Sequence, residues 1–272
     1  MEHDDAHAVT KENILAFKDH RLAEGMSLKT ITTSDITGLR QIFQWGIDNN
    51  KLSNNPAAGV KVAKVKKART RQKGFTDEEA KTILTHASNH KQGRESRSVF
   101  NARRWVPWLC AYTGARVGEM VQLRKQDLRH EDGLWIITIT PEAARVKDAE
   151  YREVPLHPHL VELSFPAFVE KSKAEYIFMN PSSATEKAIR GAWRKSKNRV
   201  TDYVREVVTD AAVQPNHAWR HRFMTVGRNL QIPRDIRFAI TGHASKDEGD
   251  DYGEVSNEAK AAALAKYPRY AV

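Results

Sequence analysis

The chain has 272 residues and a mass of 30.9 kDa, and 40% of its residues are hydrophobic, 29% are charged and the mean hydropathy is −0.62. This length allows a large domain with a small companion, which is the arrangement we predict. No apolar run is long enough to cross a bilayer or to form a signal-peptide core, so we expect a soluble, cytoplasmic protein. The single cysteine, Cys110, lies in an apolar stretch and is expected in the core.

A small helical unit is predicted over residues 1–60. A short helix is expected around Ile14, and from Ser27 the apolar residues up to Ile47 fall largely on one helical face. The turn residues Asn54-Asn55-Pro56 end this pattern. The sequence therefore predicts a helical domain over 1–60, a linker over 61–74 and a second domain over 75–272.

The charge of the chain is unevenly distributed. A net charge of +10 and a pI near 9.6 favour a polyanionic partner. Residues 1–60 hold six Lys and Arg against eight Asp and Glu, whereas residues 61–73 hold seven Lys and Arg and no acid. This basic run predicts a strap between the domains that tracks DNA, although a solvated linker with incidental charge is an alternative. Its basic residues are Lys61, Lys64, Lys66, Lys67, Arg69, Arg71 and Lys73.

The second domain is predicted to be mainly α with a small antiparallel β-sheet, an α+β fold. Its first helix follows a capping box formed by Thr76 and Glu79. Strands are predicted over 135–140 and 152–156, and the polar residues between them indicate a β-hairpin with Lys147 near its tip. Further helices are predicted over 97–112, 116–123, 159–170, 185–208, 217–228, 234–240 and 257–266.

A series of short motifs follows in order along the second domain. The motifs are Thr113-Gly114-Ala115-Arg116-Val117-Gly118-Glu119, Lys147, His217-Ala218-Trp219-Arg220-His221, Thr241-Gly242-His243 and Tyr252. This series resembles the active-site pattern of tyrosine recombinases of the phage-integrase type, which reads Arg, Lys, His-x-x-Arg, His or Trp, Tyr. The resemblance covers roughly residues 76–252. It implies a recombinase catalytic domain preceded by a core-binding domain that is unusually short here.

The resemblance implies that part of the series binds the scissile phosphate. Arg116 and Arg220 would clamp the phosphate, because a guanidinium offers paired hydrogen bonds and keeps its charge. His243 would add a third donor. Glu119 and His221 match positions that support the active site.

The remaining residues of the series would carry the bond-breaking chemistry. Tyr252 would attack the phosphate, with His217 as the candidate base. Lys147 would protonate the departing 5′-oxygen. The resulting 3′-phosphotyrosyl link conserves the energy of the broken bond, so rejoining needs no ATP. The arginines neutralise the charge of the phosphate, so we expect no metal or other cofactor.

The implied partner is double-stranded DNA, with a homotetramer on paired sites, a monomer or weak oligomer without DNA, and no membrane. Integration or excision of a mobile element or prophage is the expected outcome. Two alternatives stay open at this point. They are a type IB topoisomerase-like enzyme that relaxes DNA and a decayed integrase that only binds DNA.

The segment after Tyr252 is predicted to form an alanine-rich helix, and the resemblance to tyrosine recombinases implies that this helix docks on a neighbouring protomer. Its expected docking face consists of Ala259, Ala263, Leu264 and Tyr267 at helical spacing. Packing of this helix on its own catalytic domain is the alternative.

Overall fold

The chain forms two compact units, 1–69 and 70–272, so the division falls inside the predicted linker. The computed structural model describes residues 5–62, 70–140, 151–243 and 254–272. The described part of the first unit is helical, and that of the second unit combines helices with a three-stranded sheet. The predicted fold class is therefore confirmed.

The first unit is built from two helical stretches around a small core. Its elements are a 3-10 turn Ala6–Ala8, α1 Lys11–Ala23, α2 Leu28–Thr30, a π-helical segment Ile31–Ile36 and α3 Thr37–Asp48. The helix α1 begins at a capping box between Thr10 and Asn13. The core of the unit consists of Ile14, Ile31, Ile36, Phe43, Ala57 and Val60.

The π-helical segment interrupts the single amphipathic helix that the sequence predicts after Ser27. The Thr37 hydroxyl donates to the carbonyl oxygen of Thr32, five residues earlier, at 2.8 Å. The Thr32 and Thr33 hydroxyls donate to carbonyl oxygens four residues earlier. Hydroxyl groups that bond back to the preceding turn compete with regular helical bonding, which is consistent with the wider turn here.

The second unit is organised around one long buried helix. Its helices are α4 Asp77–Ser88, α5 Arg97–Thr113, α6 Val117–Val121, α7 Pro158–Glu162, α8 Phe165–Glu170, α9 Glu186–Arg205, α10 Pro215–Asn229, α11 Arg234–Thr241 and α12 Asn257–Leu264. The helix α5 packs against α4, α6, α9 and α10. Cys110 on α5 is fully buried, as expected. The predicted capping box of α4 is also present, since Thr76 Oγ1 accepts from the Glu79 amide at 3.1 Å.

The sheet of the second unit is antiparallel, in the order β1-β2-β3. The strands are β1 Leu128–Glu131, β2 Leu134–Ile139 and β3 Arg152–Pro155. Ile139 pairs with Arg152 across the predicted hairpin, so the two predicted strands are confirmed. The strand β1 was not predicted; it joins β2 through Asp132 and Gly133, both at positive φ.

One predicted helix is wrong. The sequence predicts a single helix over 159–170, but the structure divides it into α7 and α8 at Ser164, whose φ is +64°. Pro166 explains the break, because proline lacks an amide proton and its ring collides with the preceding helical turn. It is tolerated in the first turn of the new helix α8.

The prediction that α12 docks on a neighbouring protomer is wrong for three residues of the expected docking face. These residues pack on their own domain, which was the alternative. Ala263, Leu264 and Tyr267 are 5%, 0% and 5% exposed and belong to the core of their own unit. The Tyr267 hydroxyl donates to the Phe223 carbonyl oxygen at 3.1 Å. A short alanine-rich helix cannot bury a leucine and a tyrosine by itself, and here β3 and α11 supply the apolar surface.

Candidate active site

The loop between α5 and α6 positions Arg116. Gly114 ends α5 at a φ of +60°, and a Cβ added there would lie 2.7 Å from Thr241 Cγ2. Arg116 then caps α6, where its amide donates to Glu119 Oε2 at 2.8 Å. Its guanidinium donates to the other carboxylate oxygen, Oε1, at 2.9 Å. The carboxylate therefore holds both the backbone and the side chain of Arg116, which remains 37% exposed.

Arg220 is held at the end of α11. It lies one helical turn after His217 on α10 and is only 5% exposed. Its Nη1 donates to the carbonyl oxygen of Thr241, and its Nη2 donates to that of Gly242 at 2.6 Å. Gly242 ends α11 in the left-handed conformation. Arg220 thus binds carbonyl groups near the end of the helix, where oxygen atoms lack partners within the helix.

His243 follows directly on this helix end. The ring stacks on Phe238, and Nδ1 lies 2.7 Å from Thr241 Oγ1. Arg220 Nε donates to Nε2 across 3.4 Å. Burial, followed by the charges of Arg220 and Arg116, lowers the pKa of His243 to about 4. The ring is therefore neutral near pH 7.

The same charges act on the other histidine and on the carboxylate of the site. Burial, followed by Arg116 and Arg220, lowers the pKa of His217, although its surface is partly open to solvent. Burial by itself raises the pKa of Glu119, but Arg152 and then Arg116 outweigh it and the pKa is lowered overall. The site therefore combines an ionised carboxylate with a histidine that can accept a proton.

Arg152 is a buried member of this cluster that the sequence reasoning did not single out. It is 7% exposed, and its Nη2 donates to Glu119 Oε2 at 2.8 Å. Its Nε donates to the Ile240 carbonyl oxygen at 3.0 Å. A Cβ added to Gly242 would lie 2.7 Å from Arg152 Nη1, so glycine is needed there for space as well as for its φ of +64°.

The structure thus brings five of the predicted site residues into one cluster. These are Arg116, Glu119, His217, Arg220 and His243. His221 is exposed on α10, and its interaction with His243 contributes to the lowered pKa of His243. Lys147 and Tyr252 lie outside the described residues.

The basic residues at the two ends of the predicted strap lie in different surroundings. Lys61 and Lys73 are exposed. The guanidinium of Arg71 pairs with Glu79 at 2.7 Å and with Asp210 at 2.8 Å within the second unit. Its charge is neutralised by these carboxylates. Lys64, Lys66, Lys67 and Arg69 lie outside the described residues.

The helix α9 presents a basic face beside the cluster, which the sequence reasoning missed. Its exposed basic residues are Lys187, Arg190, Arg194, Lys195 and Arg199. By contrast, Ser196, Val200, Tyr203 and Val204 of the same helix are buried. Trp193 Nε1 donates to the Gly118 carbonyl oxygen at 2.8 Å, which fixes α9 next to the Arg116 loop. The helical spacing of these basic residues was the available signal.

Three arginines and two histidines around one carboxylate define a cationic site of the kind that phosphoryl transfer requires. The sequence profile described as "Phage integrase family" matches residues 73–258, which include this whole cluster. The chain therefore belongs to the phage integrase family.

Solved structures share the fold at low sequence identity. XerH site-specific recombinase bound to difH matches with a TM-score of 0.58 and 21% identity, over 89% of this chain and 66% of that chain. The Tn1549 transposon integrase with circular-intermediate DNA matches with a TM-score of 0.57 and 18% identity, over 88% of this chain and 79% of that chain. A lambda integrase tetramer on a Holliday junction matches with a TM-score of 0.55 and 17% identity, over 91% of this chain and 68% of that chain. This chain thus spans about two thirds of the XerH chain.

No curated protein matches the sequence. Across the ranges that the structure describes, no helix is both long enough and apolar enough to span a membrane.

Proposed function

We propose that this protein cuts and rejoins DNA at specific sites through a 3′-phosphotyrosyl link to Tyr252. The observation that carries this proposal is the convergence of Arg116, Arg220 and His243 on one site, in the motif order of the tyrosine recombinases. A preorganised pair of guanidinium groups stabilises the charge that builds on the phosphate oxygens in the transition state.

The remaining site residues complete the reaction. Tyr252 Oη attacks the phosphorus, and its proton passes to His217, whose lowered pKa keeps the ring neutral and able to accept it. The 5′-oxygen leaves with a proton from Lys147. Rejoining reverses these transfers with a new 5′-hydroxyl as the nucleophile, so the phosphate bond energy is conserved.

Double-stranded DNA is the substrate in this proposal. The basic face of α9 supports it, because arginine and lysine side chains bind phosphates by releasing condensed counterions. Lys61, Lys73 and the basic residues at 64–69 would extend the contact along the linker. The solved lambda integrase complex is a tetramer on a Holliday junction, and we propose a tetramer on paired sites here. Integration or excision of a mobile element is the proposed outcome, in line with the Tn1549 transposon integrase among the similar structures.

Tyr252→Phe tests the chemistry, because the substitution removes only the nucleophilic oxygen. With a nicked suicide substrate, the wild-type protein should accumulate a covalent protein-DNA adduct, and the variant should form none while binding the same DNA. An adduct that persists in the variant contradicts the assignment of the nucleophile. Binding without an adduct in the wild-type protein indicates a decayed integrase, and relaxation of plasmids that lack a target site indicates a topoisomerase.

A further inference from the structure

We propose that Arg152 is a positioning residue for the cleavage reaction, which keeps the charge of Arg116 available to the phosphate and fixes the helix end that orients Arg220. This inference rests on the proposed function. Arg152 is buried on β3 and contacts two parts of the site that are distant in sequence, Glu119 and the end of α11.

The first contact concerns charge. Glu119 Oε2 accepts from the Arg116 amide and from Arg152 Nη2, both at 2.8 Å, while Oε1 accepts from the Arg116 guanidinium at 2.9 Å. Without Arg152, the Glu119 carboxylate, which is 5% exposed, would keep an ion pair with Arg116 only, and that pair would be neutral. With Arg152, the three groups carry one net positive charge. That charge is on the more exposed arginine, Arg116.

The second contact concerns geometry. Arg152 Nε donates to the Ile240 carbonyl oxygen, and the next two carbonyl groups, of Thr241 and Gly242, accept from Arg220. Three successive carbonyl groups at the end of α11 are thus held by two arginines. Because His243 follows immediately, a shift of this turn would displace Arg220 and His243 together.

The position of Arg152 in the chain links these contacts to the hairpin. It is the first residue of β3 and pairs with Ile139 on β2. Lys147, the proposed general acid, precedes it by five residues. Arg152 thereby connects the strand that follows the general acid with both arginine sites.

Another arginine-carboxylate pair in the same unit offers a matched control. Arg124 donates to Asp127 at 2.8 Å, and Asp127 is 5% exposed, as Glu119 is. The partners of Arg124 lie outside the cluster around Arg116. Arg124→Gln therefore removes a comparable ion pair without touching the site.

The experiment compares Arg152→Gln, Arg152→Lys and Arg124→Gln in the full-length chain, using single-turnover cleavage, DNA affinity and thermal unfolding. We expect Arg152→Gln to slow cleavage about 10²-fold, with DNA affinity changed less than about threefold. Arg152→Lys keeps the charge but cannot reach both partners, so cleavage should slow about 10-fold. Arg124→Gln should cleave at the wild-type rate.

A double-mutant cycle of Arg152→Gln with Glu119→Gln tests whether Arg152 affects the cleavage rate through Glu119. If Arg152 acts through Glu119, the double variant should cleave no more slowly than the slower single variant. Wild-type cleavage by Arg152→Lys would overturn the inference, and rate reductions that multiply in the double variant would overturn the part of it that acts through Glu119. An equal reduction of the rate in Arg124→Gln would also overturn it.

A measurement on DNA-free protein separates this inference from the proposed function. The nitrogen-15 resonance of Arg116 Nε should shift in Arg152→Gln and stay in place in Arg124→Gln. If the wild-type protein forms no covalent adduct, the proposed function is wrong. A shift of the Arg116 resonance in Arg152→Gln would still support the positioning of Arg116 by Arg152. If the wild-type protein cleaves DNA but the Arg116 resonance is unchanged in Arg152→Gln, only the inference about Arg152 is contradicted.

Discussion

Arg116 and Arg220 carry the same charge, but the fold holds them differently. The Arg116 side chain is 37% exposed and anchored by one carboxylate, whereas Arg220 is 5% exposed and anchored by backbone carbonyl groups. Removal of Arg116 leaves Glu119 paired with Arg152, while removal of Arg220 leaves the buried carbonyl group of Thr241 and the partly buried one of Gly242 without that donor. The two residues should therefore contribute alike to the transition state and unlike to folding.

We expect Arg116→Ala and Arg220→Ala each to slow cleavage by about 10²-fold or more, because each removes a preorganised donor to the phosphate. Arg220→Ala should also lower the free energy of unfolding by about 1–3 kcal/mol. Suicide-substrate cleavage and urea unfolding measure the two effects. Arg228→Ala, an exposed arginine on the same helix α10, is the control. Cleavage within a few-fold of wild type in either site variant would exclude that arginine from the clamp.

At the scale of elements, α9 offers a test of the DNA interface. Replacing Arg194, Lys195 and Arg199 together by alanine should weaken binding to every DNA sequence. The slope of log K against log salt should also become shallower, by about 0.9 for each phosphate that the protein no longer neutralises. Filter binding at several salt concentrations measures both effects. The control set removes the same charge from exposed lysines elsewhere in the unit, Lys81, Lys171 and Lys173.

Equal weakening by the control set would show that net charge, and not the α9 face, governs binding. Weaker binding confined to one DNA sequence would point to base recognition by α9 instead of phosphate binding.

His157 ties the C-terminal tail to the end of β3 and should make stability depend on pH. Its Nε2 donates to the Tyr267 carbonyl oxygen at 3.1 Å, and its Nδ1 accepts from the His159 amide at 3.0 Å. Burial lowers the pKa of His157 to about 4, against an ordinary value of 6.5. Between these values the unfolded chain takes up a proton that the folded chain does not. The contribution of neutral His157 to the free energy of unfolding is therefore present above pH 6.5 and is lost as the pH falls towards 4.

Between pH 7 and pH 5 the wild-type protein should lose about 2 kcal/mol more unfolding free energy than His157→Gln, which keeps a donor for the Tyr267 carbonyl. Urea unfolding at the two pH values measures the difference. Other groups that titrate in this range cancel in the comparison. The exposed His130, changed to Gln, is the control, and an equal pH effect in both variants would contradict the role of His157.

At the scale of the whole molecule, the separate cores of the two units predict that residues 70–272 fold alone. We expect this fragment to unfold in one cooperative transition, because its core lies wholly within it. Its DNA affinity should be lower than that of the full chain and less dependent on salt, since the basic residues at 61–69 are missing. Calorimetry and salt-dependent binding check this. A fragment without a cooperative transition would show that the first unit is needed for folding.

Several features that the sequence reasoning missed left a signal, and others left none. Asp132-Gly133 is a common hairpin turn and could have predicted β1. Pro166 could have predicted the break between α7 and α8. The ion pair of Arg71 with Asp210 left no such sign, since the two residues are 139 positions apart.

The sequence by itself determined the family, the order of the motifs, most helices and the hairpin strands, because capping, periodicity and motif spacing depend on residues close together in the chain. The tertiary structure decided which charges are neutralised, where the tail packs and which buried arginine supports the site. Arg152 meets Glu119 across 33 residues, and Tyr267 meets Phe223 across 44. Contacts at such separations are set by the packing of whole elements, which no local pattern specifies.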